Sequence, residues 1–187
     1  MGILPDWMLI ELGEGIIKPF KASQVKTVED AGVISWGVSS YGYDVRVADE
    51  YQIFHNGNAG IIDPKAFDPN SFIIVKGKGY CMVPPNSFVL CKTMEWVTVP
   101  RNCLVKVAAK STYARCGLVV NATVLEPEWQ GEVTLELSNT TPLPIIVYSG
   151  EGIVQLTFEL GDMPCEVSYA DRNGKYQNQR GITLPKV

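Results

Sequence analysis

A chain of 187 residues, 46% apolar and 19% charged, is long enough to bury a core as one domain without disulfides or a structural metal, and its composition excludes a disordered segment. The net charge of -4 excludes the broad basic field that a nucleic-acid duplex requires, yet leaves room for a compact anion held by a local cationic cluster. No apolar run approaches the ~20 residues of a membrane-spanning helix, and Met1-Gly2-Ile3-Leu4-Pro5-Asp6 lacks the hydroxyl residue of an N-myristoylation site.

Cys81, Cys91, Cys103, Cys116 and Cys165 form an odd set with no Cys-x-x-Cys pair. With no signal peptide ahead of them, free thiols in a cytoplasmic protein are expected. Pro5-Asp6 leads into Trp7-Met8-Leu9-Ile10-Glu11-Leu12, and Gly13 and Gly15 follow, which predicts a short capping helix. Beyond it, short runs rich in Val, Ile, Tyr, Phe and Thr alternate with Gly, Pro, Asn and Asp clusters, the pattern of an all-β sandwich or barrel.

Strands are expected near Tyr43 to Val47, Phe72 to Val75, Tyr80 to Val83, Ser87 to Lys92, Trp96 to Val99 and Leu104 to Ala108, then Leu118 to Thr123, Val133 to Leu137, Ile145 to Tyr148 and Ile153 to Leu160. The prolines fall almost entirely between these runs, where a missing N–H breaks no interior ladder. Val38 to Asp44 is expected to start a strand with close backbone packing at Gly42, a structural role. Ser111 to Arg115 predicts a single helical turn, with Ser111 or Thr112 capping the amides that follow and Gly117 ending it; such a turn presents N–H groups to an anion. Asp171 to Gly181 is polar and without apolar period, either a frayed tail or a segment that orders over a ligand.

A zinc nucleobase deaminase needs His-x-Glu and Pro-Cys-x-x-Cys, and neither is present. His55, the one histidine, precedes Asn56-Gly57 in an expected turn and is read as structural or surface, which also removes Ser-His-Asp and Cys-His catalysis. Hydrolysis would then rest on carboxylates. In Thr134-Leu135-Glu136-Leu137, alternation puts Leu135 and Leu137 on one face and Thr134 and Glu136 on the other. Such a glutamate is ordinarily just the solvated side of a strand, and Lys110 to Arg115 just a capped turn. If the strand from Leu118 returns beside the one from Val133, however, Glu136 meets the Ser111/Arg115 turn, and a partly buried carboxylate paired with an arginine would be oriented for proton transfer. Glu126-Pro127-Glu128-Trp129-Gln130-Gly131 reads as a tight turn, or as a carboxylate, Glu126, lining a sugar or an attacking water.

KSTYARCGL at 110–118, LEPEWQGEVTLELSNTT at 125–141 and GKYQNQRGITLPK at 174–186, extended by SSYGYDVR at 39–46 and IDPKAFD at 62–68, resemble the bacterial dCTP deaminases of the dUTPase superfamily over nearly the whole chain. The resemblance implies an all-β, dUTPase-like distorted β-sandwich or jelly roll in one domain, 1–187, whose segment 171–187 closes over the substrate. It implies a homotrimer with shared active sites and zinc-independent hydrolysis of dCTP to dUTP and ammonia, with no metal ligands from protein side chains. Glu136 would be the proton acceptor and donor that activates water at C4 of cytosine, with Ser111 and Arg115 holding that water and the glutamate. Lys110, Ser111, Thr112, Tyr113, Ala114 and Arg115 would line the nucleotide site, and the backbone of Thr134 and Leu135 would read the base. Gln155, Tyr169 and Gln179 would bind chiefly the triphosphate, and Lys175 and Tyr176 lie in the closing segment. Mg2+ would arrive with the phosphates, whose charge also calls for Lys110, Arg115, Lys175 and Arg180 nearby, and dTTP is implied as an inhibitor. The rival readings are a dUTP diphosphatase, whose motif has aspartate in place of Glu126 and tyrosine in place of Trp129, a bifunctional deaminase/diphosphatase, and a non-catalytic nucleotide-binding trimer.

Overall fold

The computed structural model describes residues 2–57 and 60–186. Its elements are β1 (Gly2–Ile3), α1 (Asp6–Leu12), β2 (Ile17–Lys18), β3 (Val25–Val28), β4 (Ala31–Ser39), β5 (Gly42–Phe54), β6 (Phe72–Lys76), β7 (Tyr80–Val83), β8 (Phe88–Thr98) and β9 (Cys103–Ala109), then α2 (Ser111–Ala114), β10 (Leu118–Asn121), β11 (Gln130–Asn139), β12 (Ile145–Tyr148) and β13 (Gly152–Leu160). The expected all-β class is therefore borne out, and α1 lies where Pro5 and Gly13 frame it. Gly13, at φ 48, takes a positive-φ conformation that favours glycine where the helix ends.

The long strand β5 joins two layers because it changes partners along its length. Its first residues pair with β13 and β4, Asp44 standing opposite Gln155 on one side and Gly37 on the other. Its later residues pair with β8 and β6. One layer thus runs β9-β13-β5-β4 and the other β6-β5-β8-β11-β10, while β12 pairs only β7 in a separate two-stranded ribbon. The core fills the space between them with Tyr43, Val45, Tyr51, Cys91, Leu135, Leu137, Leu156 and Phe158, which are all fully buried. Gly42 is packed as expected, since a Cβ there would lie 2.6 Å from the Leu156 carbonyl oxygen. The five cysteines are free.

One irregularity shapes the site. Two separate strands were expected across Ser87 to Val99, but β8 is continuous, and residues 93–95 bulge so that the register against β11 slips between Glu132 and Thr134. A charge at Glu95 reads as a strand break. It is instead turned inward and fully buried, accepting hydrogen bonds from the Arg46 backbone N–H at 2.8 Å and Nε at 2.7 Å, while Arg46 stacks 4.0 Å from the Trp36 ring centroid. Burial raises the Glu95 pKa, and Arg46 opposes that rise. Thr93 closes the bulge by donating to the Glu95 carbonyl and accepting the Val133 N–H. Glu95→Ala would strand Arg46 and should destabilise the protein by about 3–5 kcal/mol, measured by urea unfolding; a loss under about 1 kcal/mol would show that the bulge does not need the pair.

Candidate active site

On the outward face of β11 lies a cleft of about 590 Å³, lined by Phe67, Phe72, Phe88, Leu90, residues 122–126, Trp129, Thr134, Glu136, Tyr169, Lys175, Tyr176, Gln179, Thr183 and Pro185, among others. The alternation along β11 is regular: Val133, Leu135 and Leu137 are buried in the core, and Thr134 and Glu136 face the cleft. Around Glu136 the cleft is apolar, with Phe72 and Phe88 packed edge to face at 5.9 Å and Leu90 directly opposite it in β8. Desolvation pushes the Glu136 carboxyl up to about 7, opposed only by its own backbone N–H. A carboxyl poised there can both take and return a proton near neutrality.

The edge of β11 facing away from β8 is covered in two pieces. At one end β10 pairs with it from Leu118 opposite Asn139 to Asn121 opposite Glu136. At the other, the tail runs alongside: Asn178 N–H donates to the Gln130 carbonyl, Glu132 N–H donates to the Gln179 carbonyl, and Gly131 approaches Gln179 so closely that a Cβ would sit 2.9 Å from its backbone N and O. Between the two pieces lies Thr134. The Val133 N–H goes to Thr93 in β8, so alternation turns the Thr134 N–H and carbonyl to the uncovered edge and those of Leu135 back toward β8. Only Thr134 of that pair offers its backbone here.

The tail is docked, not frayed. Trp129 Nε1 donates to the Tyr176 carbonyl at 3.0 Å, Gln177 Nε2 to the Glu128 carbonyl, and Gln179 Nε2 to the Glu132 carbonyl and to Thr134 Oγ1. Tyr169 Oη accepts the Tyr176 N–H, and Arg180 stacks on Trp96 with its guanidinium 4.7 Å from the ring centroid. Arg101 ties the turn to the start of the tail through Glu128 and Asp171. Glu126 lines the cleft with its carboxylate paired to Arg172.

Residues 110–115 and Gln155 do not line this cleft. Glu136 stands three strand positions, roughly 10 Å, from the end of β11 where the Arg115-Gly117 turn arrives, so a single chain does not pair it with Arg115. The turn itself forms as expected and stops at Gly117 (φ 80), but Lys110 is its N-cap and no side chain caps it. Ser111, Thr112, Ala114 and Arg115 are exposed. Tyr113 is buried in the core, its hydroxyl accepting the Tyr148 N–H and its pKa pushed up to about 12 by burial. Lys110 is not a free cation: its Nζ donates to Asp44 Oδ2 at 2.5 Å and to Ser35 Oγ at 3.2 Å. Gln155 faces the same region, donating to Ser39 Oγ at 2.8 Å.

The predicted residues therefore separate into a cleft group, Glu136, Thr134, Gln179, Tyr169, Lys175 and Glu126, and a second group around the 111–115 turn. Sequence reasoning missed the aromatic wall of Phe67, Phe72 and Phe88 and the contribution of Thr183 and Pro185. The IDPKAFD string was the available pointer to Phe67. Among the described residues no group of three or more His, Cys, Asp or Glu is placed to hold a metal ion.

The two-layered β fold thus carries a cleft in which a desolvated carboxyl, Glu136, stands beside an open strand edge. The model of the dCTP deaminase-like family matches residues 7–161, and the chain belongs to that family. It is 58% identical over 173 residues to a dCTP deaminase of Chromobacterium violaceum, covering 92% of this chain and 91% of the relative. It is 55% identical over 189 residues to one of Granulibacter bethesdensis, covering all of both chains. Among solved structures, the 2'-deoxycytidine 5'-triphosphate deaminase of Agrobacterium tumefaciens shares the fold, with a TM-score of 0.61 at 20% identity over 86% of this chain and 48% of that one.

An unfolded glutamate titrates near its ordinary value, and the folded Glu136 near 7. Between those values the folded state holds the extra proton, so the site favours folding least above pH 7, where the carboxylate is charged and desolvated. Glu136→Gln should thus raise stability by about 1 kcal/mol at pH 8, after allowance for partial solvent access, and leave it little changed at pH 5. Melting curves at the two pH values check this; an equal gain at both would contradict the desolvation.

Proposed function

We propose that the chain is a zinc-independent dCTP deaminase that hydrolyses the 4-amino group of dCTP to give dUTP and ammonia, supplying deoxyuridine nucleotides for pyrimidine deoxynucleotide synthesis. Relatives matched over nine-tenths or more of their length carry that activity in their names. The observation that carries the reading is the Glu136 carboxyl, held near 7 in an apolar cleft beside the Thr134 backbone, which has no partner on that edge among the described residues. Chemically, the Glu136 carboxylate takes a proton from water as its oxygen attacks C4 of the cytosine ring. It passes that proton to N3, which takes up the ring electrons displaced by the attack, and the proton of the new C4 hydroxyl is then carried to the amino nitrogen as the C4–N bond breaks, leaving a carbonyl at C4 and releasing ammonia. The Thr134 N–H and carbonyl suit the donor and acceptor pattern of a pyrimidine edge. With one histidine and no Cys-x-x-Cys pair, the chain lacks the ligand set that zinc deaminases use.

Among the described residues one cationic side chain lines the cleft, Lys175, whose Nζ donates to the Lys186 carbonyl, whereas a triphosphate brings about four negative charges. That shortfall supports a homotrimer in which the exposed Ser111 and Arg115 of one copy complete the cleft of the next, with Thr112, Ala114 and Gln155 on the same supplied wall, Tyr113 and the Lys110–Asp44 pair anchoring the turn, and Mg2+ carried by the phosphates. Gln179 and Tyr169, which line the cleft beside Lys175, would contact the nucleotide. A pyrimidine triphosphate without a 4-amino group fills the same space without reacting, which supports dTTP as an inhibitor. Free thiols fit a reducing cytoplasm.

Glu126 favours a second reading, since a further carboxylate in the cleft suits diphosphate hydrolysis, but its pairing with Arg172 leaves it poorly placed as a base. Incubation with dCTP and Mg2+ should yield ammonia and dUTP without pyrophosphate; dUMP with pyrophosphate would identify the bifunctional enzyme, activity on dUTP alone the diphosphatase, and binding without turnover a non-catalytic trimer. Glu136→Gln should retain dCTP binding and lose at least ~10²–10⁴ in turnover. Ammonia release near the wild-type rate from that variant would remove Glu136 from the chemistry.

A further inference from the structure

Three residues on one face of β11 stand two positions apart, Glu132, Thr134 and Glu136, and the tail meets the first two in matching steps. The Gly181 N–H donates to Glu132 Oε2 at 2.6 Å, and the Thr183 N–H donates to Thr134 Oγ1 at 3.2 Å. The Lys186 N–H turns the other way, donating to Tyr176 Oη at 3.1 Å. The register is fixed from the strand side: Lys92 Nζ holds the same Glu132 oxygen at 2.7 Å, and the contact of Gly131 with the Gln179 backbone leaves no room for a Cβ. The two segments run parallel at Gly131 and Gln179, so the same two-residue step carried on would bring residue 185 to the level of Glu136. That residue is Pro185, which lines the cleft with Glu136 and has no N–H to donate.

We infer that Pro185 is a positioning residue whose missing N–H lets the tail cover the cleft without hydrogen-bonding the Glu136 carboxylate. An amide N–H in its place would stabilise the charged carboxylate and make it a weaker base. The titratable side chains around Glu136 are Glu132 on its own strand, Cys91 and Lys92 on β8, Glu126 with Arg172, and Tyr169, Lys175 and Tyr176 from the tail. Lys175 is held by the carbonyl of Lys186, next to Pro185, so a variant that loosens the same segment without adding an N–H is needed to separate a displaced Lys175 from the added N–H.

The inference rests on the proposed role of Glu136, and its test has one readout that needs no turnover. The carboxyl carbon of Glu136 is followed by NMR against pH in ligand-free wild type, in Pro185→Ala, which adds an N–H, and in Leu184→Ala, which loosens the tail without adding one. Pro185→Ala should lower the midpoint by roughly one pH unit and move the acidic limb of kcat/KM for dCTP down with it, while Leu184→Ala should keep the wild-type midpoint. An unchanged midpoint in Pro185→Ala, or the same shift in both variants, overturns the inference. A lowered midpoint in a protein that does not deaminate dCTP would uphold the hydrogen-bond argument and sink the functional reading instead.

Discussion

Within one chain, the cleft keeps the Glu136 carboxyl desolvated with no opposite charge of its own beside it. Partners that would make it an ordinary buried glutamate are available nearby and are engaged elsewhere: Lys92 with Glu132, Arg172 with Glu126, Arg180 with Trp96. What remains around it is aromatic and aliphatic, and desolvation alone raises its proton affinity into the range useful for acid/base chemistry.

Several fold features serve that arrangement. The bulge of β8, held by the buried Glu95–Arg46 pair, displaces the β11 register between Glu132 and Thr134. That displacement leaves both side chains free to grip the tail. β10 ends opposite Glu136, so the backbone of Thr134 meets neither β10 nor the tail. Bulges commonly re-aim side chains beside active sites, and this one couples a core ion pair to the cover of the cleft.

Much of the fold was legible because its strands are short apolar runs with prolines and glycines between them, as at β7, β12 and β13. β3 and β4 went unread because Val25 to Ser39 mixes Gly, Ser and Lys with few paired apolar positions, and their stability comes from pairing with each other and with β5. β8 was divided in two because Glu95 reads as solvated, whereas its partner Arg46 lies 49 residues away. β10 does return beside β11, the condition on which the sequence reading rested, but Glu136 does not thereby meet Arg115, because antiparallel register carries the turn to the far end of the strand. Lys110 likewise looks like an anion ligand until Asp44, fully committed in β5, is seen to hold it. Sequence spacing shows which residues are chemically able; it does not show which chain's cleft they enter.

The most direct test is of the proposal that Glu136 of one copy works with the 111–115 turn of another. Glu136→Gln and Arg115→Ala proteins, each inactive alone, are mixed in equal amounts, unfolded, refolded together and assayed for ammonia release from dCTP. With subunits exchanged at random, about a quarter of the sites should receive both native residues and recover activity in proportion. No activity in a mixture that has co-assembled would contradict the account and place both residues in the same chain's site.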